Sequence, residues 1–164
     1  MIIKTLANID VTPYVECFHQ LDPEIQWTTY GHKSRQAGMQ YLDGEEEWTS
    51  AIGKRDRNKM ESSYTLTTSL FKGTIFEEFM QEFNLSRTRL MWVEPYSTYS
   101  MHTDASPRIH LPLITNPSCY FVFKDDQLVE HMPLNGIYWV DTVRPHTFIN
   151  CSGEPRLHVV GCCH

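Results

Sequence analysis

Residues Arg89–Leu113 read RLMWVEPYSTYSMHTDASPRIHLPL, and in this stretch the chain changes its period from helical to extended. Short segments follow one another: Arg89–Glu94, Thr98–Thr103, Arg108–Ile114, Cys119–Phe123, Gln127–Met132, Gly136–Val140, His146–Asn150 and Arg156–Cys162. Between them stand turn formers such as Pro95-Tyr96-Ser97, Ala105-Ser106-Pro107, Asn116-Pro117, Asn135-Gly136 and Ser152-Gly153. Eight strands in about 75 residues imply two facing antiparallel sheets or a barrel, because one open sheet of that size leaves a face uncovered.

The first 87 residues read differently. Val11–Leu21 places Val11, Tyr14, Val15, Phe18 and Leu21 at helical spacing, with Asp10 or Thr12 as N-cap. Thr74–Leu85 is a second helix whose Ile75, Phe76, Phe79, Met80 and Phe83 form one apolar face, expected to lie on the main sheet. Residues 26–63 are polar and rich in glycine, and read as loops with one or two short strands. The expectation is one domain over 1–164, with 1–87 as helical and loop support and 88–164 as the β core.

Composition narrows the partners. A formal charge of −6 argues against a nucleic-acid backbone, which needs a basic face. The local basic stretch Lys54–Lys59 reads as a solvated loop. No apolar run approaches the roughly 20 residues of a membrane span, so a cytoplasmic protein is expected. The five cysteines are read as reduced thiols, and Cys162 and Cys163 as poor partners for one ion, since neighbours on a strand point to opposite faces.

The chemistry concentrates at His102-Thr103-Asp104 and, after several strands, His146. Two apart on a strand, His102 and Asp104 look to the same side. Two imidazoles and one carboxylate fill one face of an octahedron and leave positions open, the arrangement of non-haem Fe(II) sites that bind a co-substrate and O₂ together. Arg156 opens the last strand and offers a planar guanidinium to a carboxylate. Arg108 and His110 form a second same-face pair. Trp92, Tyr120, Phe121 and Trp139 are candidates for the cavity wall, about half of them expected merely to pack. Asp141 reads either as an orienting group for the His146 loop or as an ordinary turn aspartate.

Taken with Leu134–Val160 (LNGIYWVDTVRPHTFINCSGEPRLHVV), the opening stretch resembles the aspartyl/asparaginyl β-hydroxylase family of 2-oxoglutarate oxygenases. The pattern is carried by Pro95, His102, Arg108-Ile109-His110, Asp141, His146, Asn150 and Arg156. The resemblance implies a mainly β fold with a double-stranded β-helix (jelly-roll, cupin-like) core. It also implies iron on His102 and His146, 2-oxoglutarate held by Arg156 at its distal carboxylate, and Arg108 and His110 near the other carboxylate. Some members of that family bind iron with two histidines alone. Asp104 is present here, which brings the site closer to the general 2-oxoglutarate oxygenase pattern, including hydroxylases acting on proline. The loop between His102 and Arg108 is shorter than in the animal peptide hydroxylases.

The expected activity is hydroxylation of an amino-acid, peptidyl (Asp/Asn-type) or related small substrate with O₂, with succinate and CO₂ as co-products. Substrate contact is expected from the loop Tyr30–Gly53. Two other classes stand beside this reading: a cupin-like metal enzyme without 2-oxoglutarate, and a non-catalytic barrel that binds a small ligand.

Overall fold

The structure, a computed structural model, describes residues 1–164. Its N-terminal half contains β1 (Ile3–Asn8), α1 (Thr12–Leu21), β2 (Thr28–Tyr30), β3 (Ser34–Gly38), β4 (Gln40–Tyr41), β5 (Leu66–Thr67) and α2 (Ile75–Glu82). The C-terminal half contains β6 (Ser86–Val93), β7 (Ser97–Thr98), β8 (Arg108–Ile114), β9 (Cys119–Phe123) and β10 (Leu128–Glu130). It closes with β11 (Gly136–Val140), β12 (His146–Asn150) and β13 (Arg156–Cys162). Five of these ranges, β8, β9, β11, β12 and β13, coincide with the segments read from alternation.

Two antiparallel sheets face each other. One has seven strands in the order β1-β11-β8-β13-β6-β3-β2, the other four in the order β10-β9-β12-β7. This is a double-sheet jelly-roll arrangement of the cupin-like kind. The expected strand Thr98–Thr103 is largely absent. Only Ser97–Thr98 pair with β12, and the chain meets it again at a single bridge between His102 and His146. Tyr96 at φ 53° bends the entry to this segment, so the metal-loop residues leave the ladder instead of continuing it.

Alternation assigns each strand two duties. Leu90, Ile109, Leu111, Ile137, Leu157 and Val159 join one apolar cluster with Phe18 of α1 and with Phe76, Phe79 and Met80 of α2. The helical face read from the sequence therefore covers the outer side of the large sheet. Each of the two α2 phenylalanines, fully buried, contributes about 1.5–3 kcal/mol. The Thr74 side chain accepts from the Phe76 amide at the start of α2, and Asn84 at φ 48° ends it in the left-handed conformation a short amide tolerates. Between the sheets lies a second cluster, with Phe121, Phe123 and Phe148 against Val93, Tyr138 and Val140.

Three strands of the first 87 residues extend the large sheet. β1 pairs with β11 at one edge, while β3 runs inside the sheet along β6. The N-terminal half is thus part of the β structure as well as its support, and the larger core draws residues from both halves.

Candidate metal centre

Beside the apolar cluster between the sheets, the inward face of the large sheet carries a group of polar side chains. β6 turns Arg89 and Met91 inward, β8 turns Arg108 and His110, and β13 turns Arg156, His158 and Val160. Register places Arg89 beside Val160 and Val160 beside His110, one row across three strands. Opposite them, β9 and β12 offer Phe121, Phe148 and His146. The inter-sheet space encloses a chamber of about 60 Å³ lined by these side chains.

At the rim of this chamber His102, Asp104 and His146 converge, with one donor atom of each within 4.8 Å of the others. Backbone bonds clip the loop in place. His102 and His146 exchange N–H···O bonds of 2.9 Å, and the Asp104 amide donates to Thr142 O at 2.8 Å. Both imidazoles use Nδ1 against a carbonyl: His102 donates to Ser100 O (2.7 Å) and His146 to Arg144 O (2.9 Å). That fixes the tautomer and leaves each Nε2 lone pair free to ligate. His146 Nε2 lies 3.9 Å from Asp104 Oδ2. Burial pushes the His146 imidazole below its ordinary pKa, which keeps it neutral and able to ligate. Two nitrogens and one carboxylate oxygen on one side form the facial set suited to Fe(II). Among His, Cys, Asp and Glu side chains this is the one convergent group; the Cys162-Cys163-His164 tail forms none.

Asp104 is oriented from behind. Arg108 Nη2 stands 3.3 Å from its Oδ1 and 2.8 Å from Glu61 Oε1. Glu61 also accepts from Ser106 Oγ (2.7 Å) and Arg87 Nη1 (3.2 Å). Burial alone would raise the Glu61 pKa, but Arg108, the Ser106 hydroxyl and Arg87 outweigh it and hold it at about 2. Arg108 lines the chamber with its guanidinium already engaged by these acids.

Arg156 is different. It is buried, its guanidinium lies 3.8 Å over the Phe148 ring, and no carboxylate is within ion-pair distance. Nη2 donates to His158 Nδ1 at 2.6 Å, while Nε has no partner. Burial lowers its pKa to about 9, so it still carries its charge at neutral pH. His110 Nε2 is also buried without a partner, and burial with the nearby Arg156 charge keeps this ring neutral. Unsatisfied buried donors around a cation cost free energy unless something fills the space. A carboxylate in the chamber would satisfy Arg156, so the residues present fit a dicarboxylate co-substrate.

Of the expected wall residues, Phe121 lines the chamber, and Tyr99, Met91 and Phe148 join it. Trp92 and Trp139 fall on the opposite strand parity and pack against the outer core. Asp141 accepts from Arg144 Nε at 2.9 Å, and Arg144 in turn presents the carbonyl that holds His146 Nδ1, so Asp141 steadies the His146 loop through Arg144. Alternation flanking β6 offered a cue to Arg89, an inward-facing arginine, but its role was not read. Glu61 had no cue, because it sits in a short helical turn (Glu61–Ser63) within a polar stretch and meets Arg108 only in three dimensions. In front of the triad, Lys54, Arg55 and Arg57 help line a vestibule of about 520 Å³ that shares Arg89, Met91, Tyr99, His102 and Asp104 with the chamber. The basic stretch read as a plain solvated loop therefore borders the site.

The sequence model described as aspartyl/asparaginyl beta-hydroxylase matches residues 16–162. No curated protein sequence matches the chain. Among solved structures, the fold is similar to an oxidoreductase of the 2OG-Fe(II) oxygenase family from Burkholderia pseudomallei. The two are 12% identical with a TM-score of 0.58, over 90% of this chain and 76% of that one. A Pseudomonas putida prolyl-4-hydroxylase is similar at 12% identity and a TM-score of 0.52, over 98% of this chain and 90% of that one. At such identity the structural likeness speaks for the fold, while the sequence match covers nearly the whole length: the chain belongs to the aspartyl/asparaginyl β-hydroxylase family and is a hydroxylase.

Proposed function

We propose that this hydroxylase depends on Fe(II) and 2-oxoglutarate and acts on an amino-acid, peptidyl or related small substrate. The observation that carries the reading is the convergence of His102, Asp104 and His146 beside a buried arginine, Arg156, that has no carboxylate partner. When bound together, the metal and co-substrate supply the oxidising chemistry with O₂ that hydroxylates a C–H bond and leaves succinate and CO₂.

The chain's own residues do the positioning. His102 and His146 present Nε2 because their Nδ1 protons are tied to Ser100 O and Arg144 O. Asp104 supplies the anionic ligand, with Arg108 keeping its Oδ1 turned away from His146. Arg156 binds the distal carboxylate of the co-substrate through charge-assisted hydrogen bonds worth about 1.5–3 kcal/mol each. His110, a neutral ring that lines the chamber and whose Nε2 has no partner, meets the other end. Phe121 and Phe148 close the inner wall and exclude water.

Mixing the protein anaerobically with Fe(II) and 2-oxoglutarate is expected to produce a visible metal-to-ligand absorption band. His102→Ala should remove the band, and Arg156→Ala should weaken co-substrate binding. A colourless mixture with the intact protein would sink the reading. Succinate release above the uncoupled background then screens substrates.

A further inference from the structure

His158 is 1% exposed, takes no part in the metal triad and does not line the chamber. It stands two residues after Arg156 on β13, on the same face of the strand. Its Nδ1 lies 2.6 Å from Arg156 Nη2, the one hydrogen bond of that guanidinium, and 3.4 Å from His110 Nδ1 on its other side. Its Nε2 is buried and has no partner. Burial and the Arg156 charge push its pKa well below the ordinary value, so the ring is neutral.

A guanidinium donates and never accepts, so His158 Nδ1 is the bare nitrogen and the ring proton sits on Nε2. That tautomer leaves a buried N–H without an acceptor, a cost that a side chain serving only to pack would not carry. Val160, next on the same face, shows that the row takes an apolar residue. What the imidazole supplies is direction. The Phe148 ring, 3.8 Å from Arg156 Cζ, covers one face of the guanidinium, and stacking alone leaves the group free to turn in its own plane. The bond from Nη2 stops that rotation. It occupies one of five N–H donors, and Nε and Nη1 make no hydrogen bond within the protein.

We infer that His158 is the positioning residue for Arg156. It fixes the guanidinium so that its free donors meet a distal carboxylate, and so sets the preference of this hydroxylase for a dicarboxylic over a monocarboxylic 2-oxo acid. The inference rests on the oxygenase reading above. Misdirected, Arg156 keeps its charge but loses the paired N–H geometry that a carboxylate accepts. His158 itself touches neither metal nor co-substrate and acts through Arg156 alone.

Calorimetric titration of the Mn(II)-loaded protein with 2-oxoglutarate and with 2-oxopentanoate measures that preference, since the second acid has the same chain length and ends in a methyl group. The variants are His158→Leu and His158→Asn, which are close to each other in volume. Asparagine Oδ1 can stand where the ring Nδ1 accepts, and leucine offers no acceptor. His158→Leu should lower the preference for 2-oxoglutarate by about 10- to 100-fold, with binding of 2-oxopentanoate and of Mn(II) unchanged. His158→Asn should keep the preference within a factor of about three of the unaltered protein. A merely structural role would weaken both acids alike in both variants. That result, or an unchanged preference in His158→Leu, would overturn the assignment. Should the leucine variant fail to fold, nitrogen-15 spectra of the histidine-labelled protein with Zn(II) carry the test. The resonances lost in His158→Asn belong to residue 158 and should show a bare Nδ1 and a protonated Nε2; a proton on Nδ1 overturns the role. The unaltered protein tells the two ideas apart: if it prefers 2-oxoglutarate and His158→Leu does too, only the role of His158 fails; if it binds neither acid, the oxygenase reading fails with it.

Discussion

Around Asp104 the charges are arranged in a chain, Arg87 to Glu61 to Arg108 to Asp104, at 3.2, 2.8 and 3.3 Å. Glu61 is the link whose loss leaves two guanidinium groups buried without it. Glu61→Gln is expected to lower unfolding stability by about 3–5 kcal/mol, read from denaturant midpoints at pH 7. The pH dependence has a definite sign. The carboxyl of Glu61 sits at about 2 in the folded protein against an ordinary 4.5, so its contribution is complete above pH 4.5 and is lost as pH falls through 2. Acid unfolding of the unaltered protein should steepen across that window, and the glutamine variant should lack the extra slope. Matching acid limbs in the two proteins would show that the network contributes no net stability.

At the level of elements, strand parity does most of the positioning. β13 sends Leu157 and Val159 to the helices and Arg156 and Val160 to the chamber, with His158 held between Arg156 and His110, so a shift of one residue would exchange core and site. β3 holds the vestibule side of the sheet through its pairing with β6. Its last residue, Gly38, lies against the Glu47–Trp48 turn, and a Cβ there would stand 2.9 Å from the carbonyl oxygens of both residues. Backbone atoms cannot swing aside as a side chain can. Gly38→Ala should therefore cost about 1–3 kcal/mol in thermal or denaturant unfolding. Because Gly53 N donates to Gln36 Oε1 on the same strand, the variant should also loosen the 51–57 segment, measurable as faster amide exchange there. Unchanged stability would mean that the turn is free to move.

Over the whole molecule, the two sheets form a closed frame and the site occupies the gap between them at one end. Ligands that bind this gap hold both sheets, so binding free energy adds directly to folding free energy. At about one hundred times its dissociation constant, a divalent ion such as Mn(II) should stabilise the fold by about 2.7 kcal/mol. For a chain of this length that is a rise of about 5–11 °C in melting temperature, reversed by a chelator. His146→Ala should lose the rise while keeping the fold, since the neighbouring backbone bonds to His102 do not need the ring. A rise that persists in that variant would place the ion elsewhere. No helix is long and apolar enough to cross a membrane.

What the amino-acid sequence determined by itself was local. Period-two alternation and turn formers marked β8, β9, β11, β12 and β13 at their observed ends, and helical spacing marked α1 and α2, because each depends on residues a few positions apart. His102 and Asp104 stood out as a pair two apart on an expected strand, but that strand is largely absent, and backbone bonds from the loop to His146 and Thr142 are what bring the three side chains together. Only the tertiary structure decided what depends on pairing across the sheets. β1 and β3 carry too weak an alternation to be read alone, and their partners β11 and β6 hold them in the sheet. Glu61 became a partner of Arg108 across 47 positions, and Arg89 became an unpaired cation at the chamber mouth. Ion pairing and desolvation act through space, and a linear pattern does not record which distant charge will stand beside which.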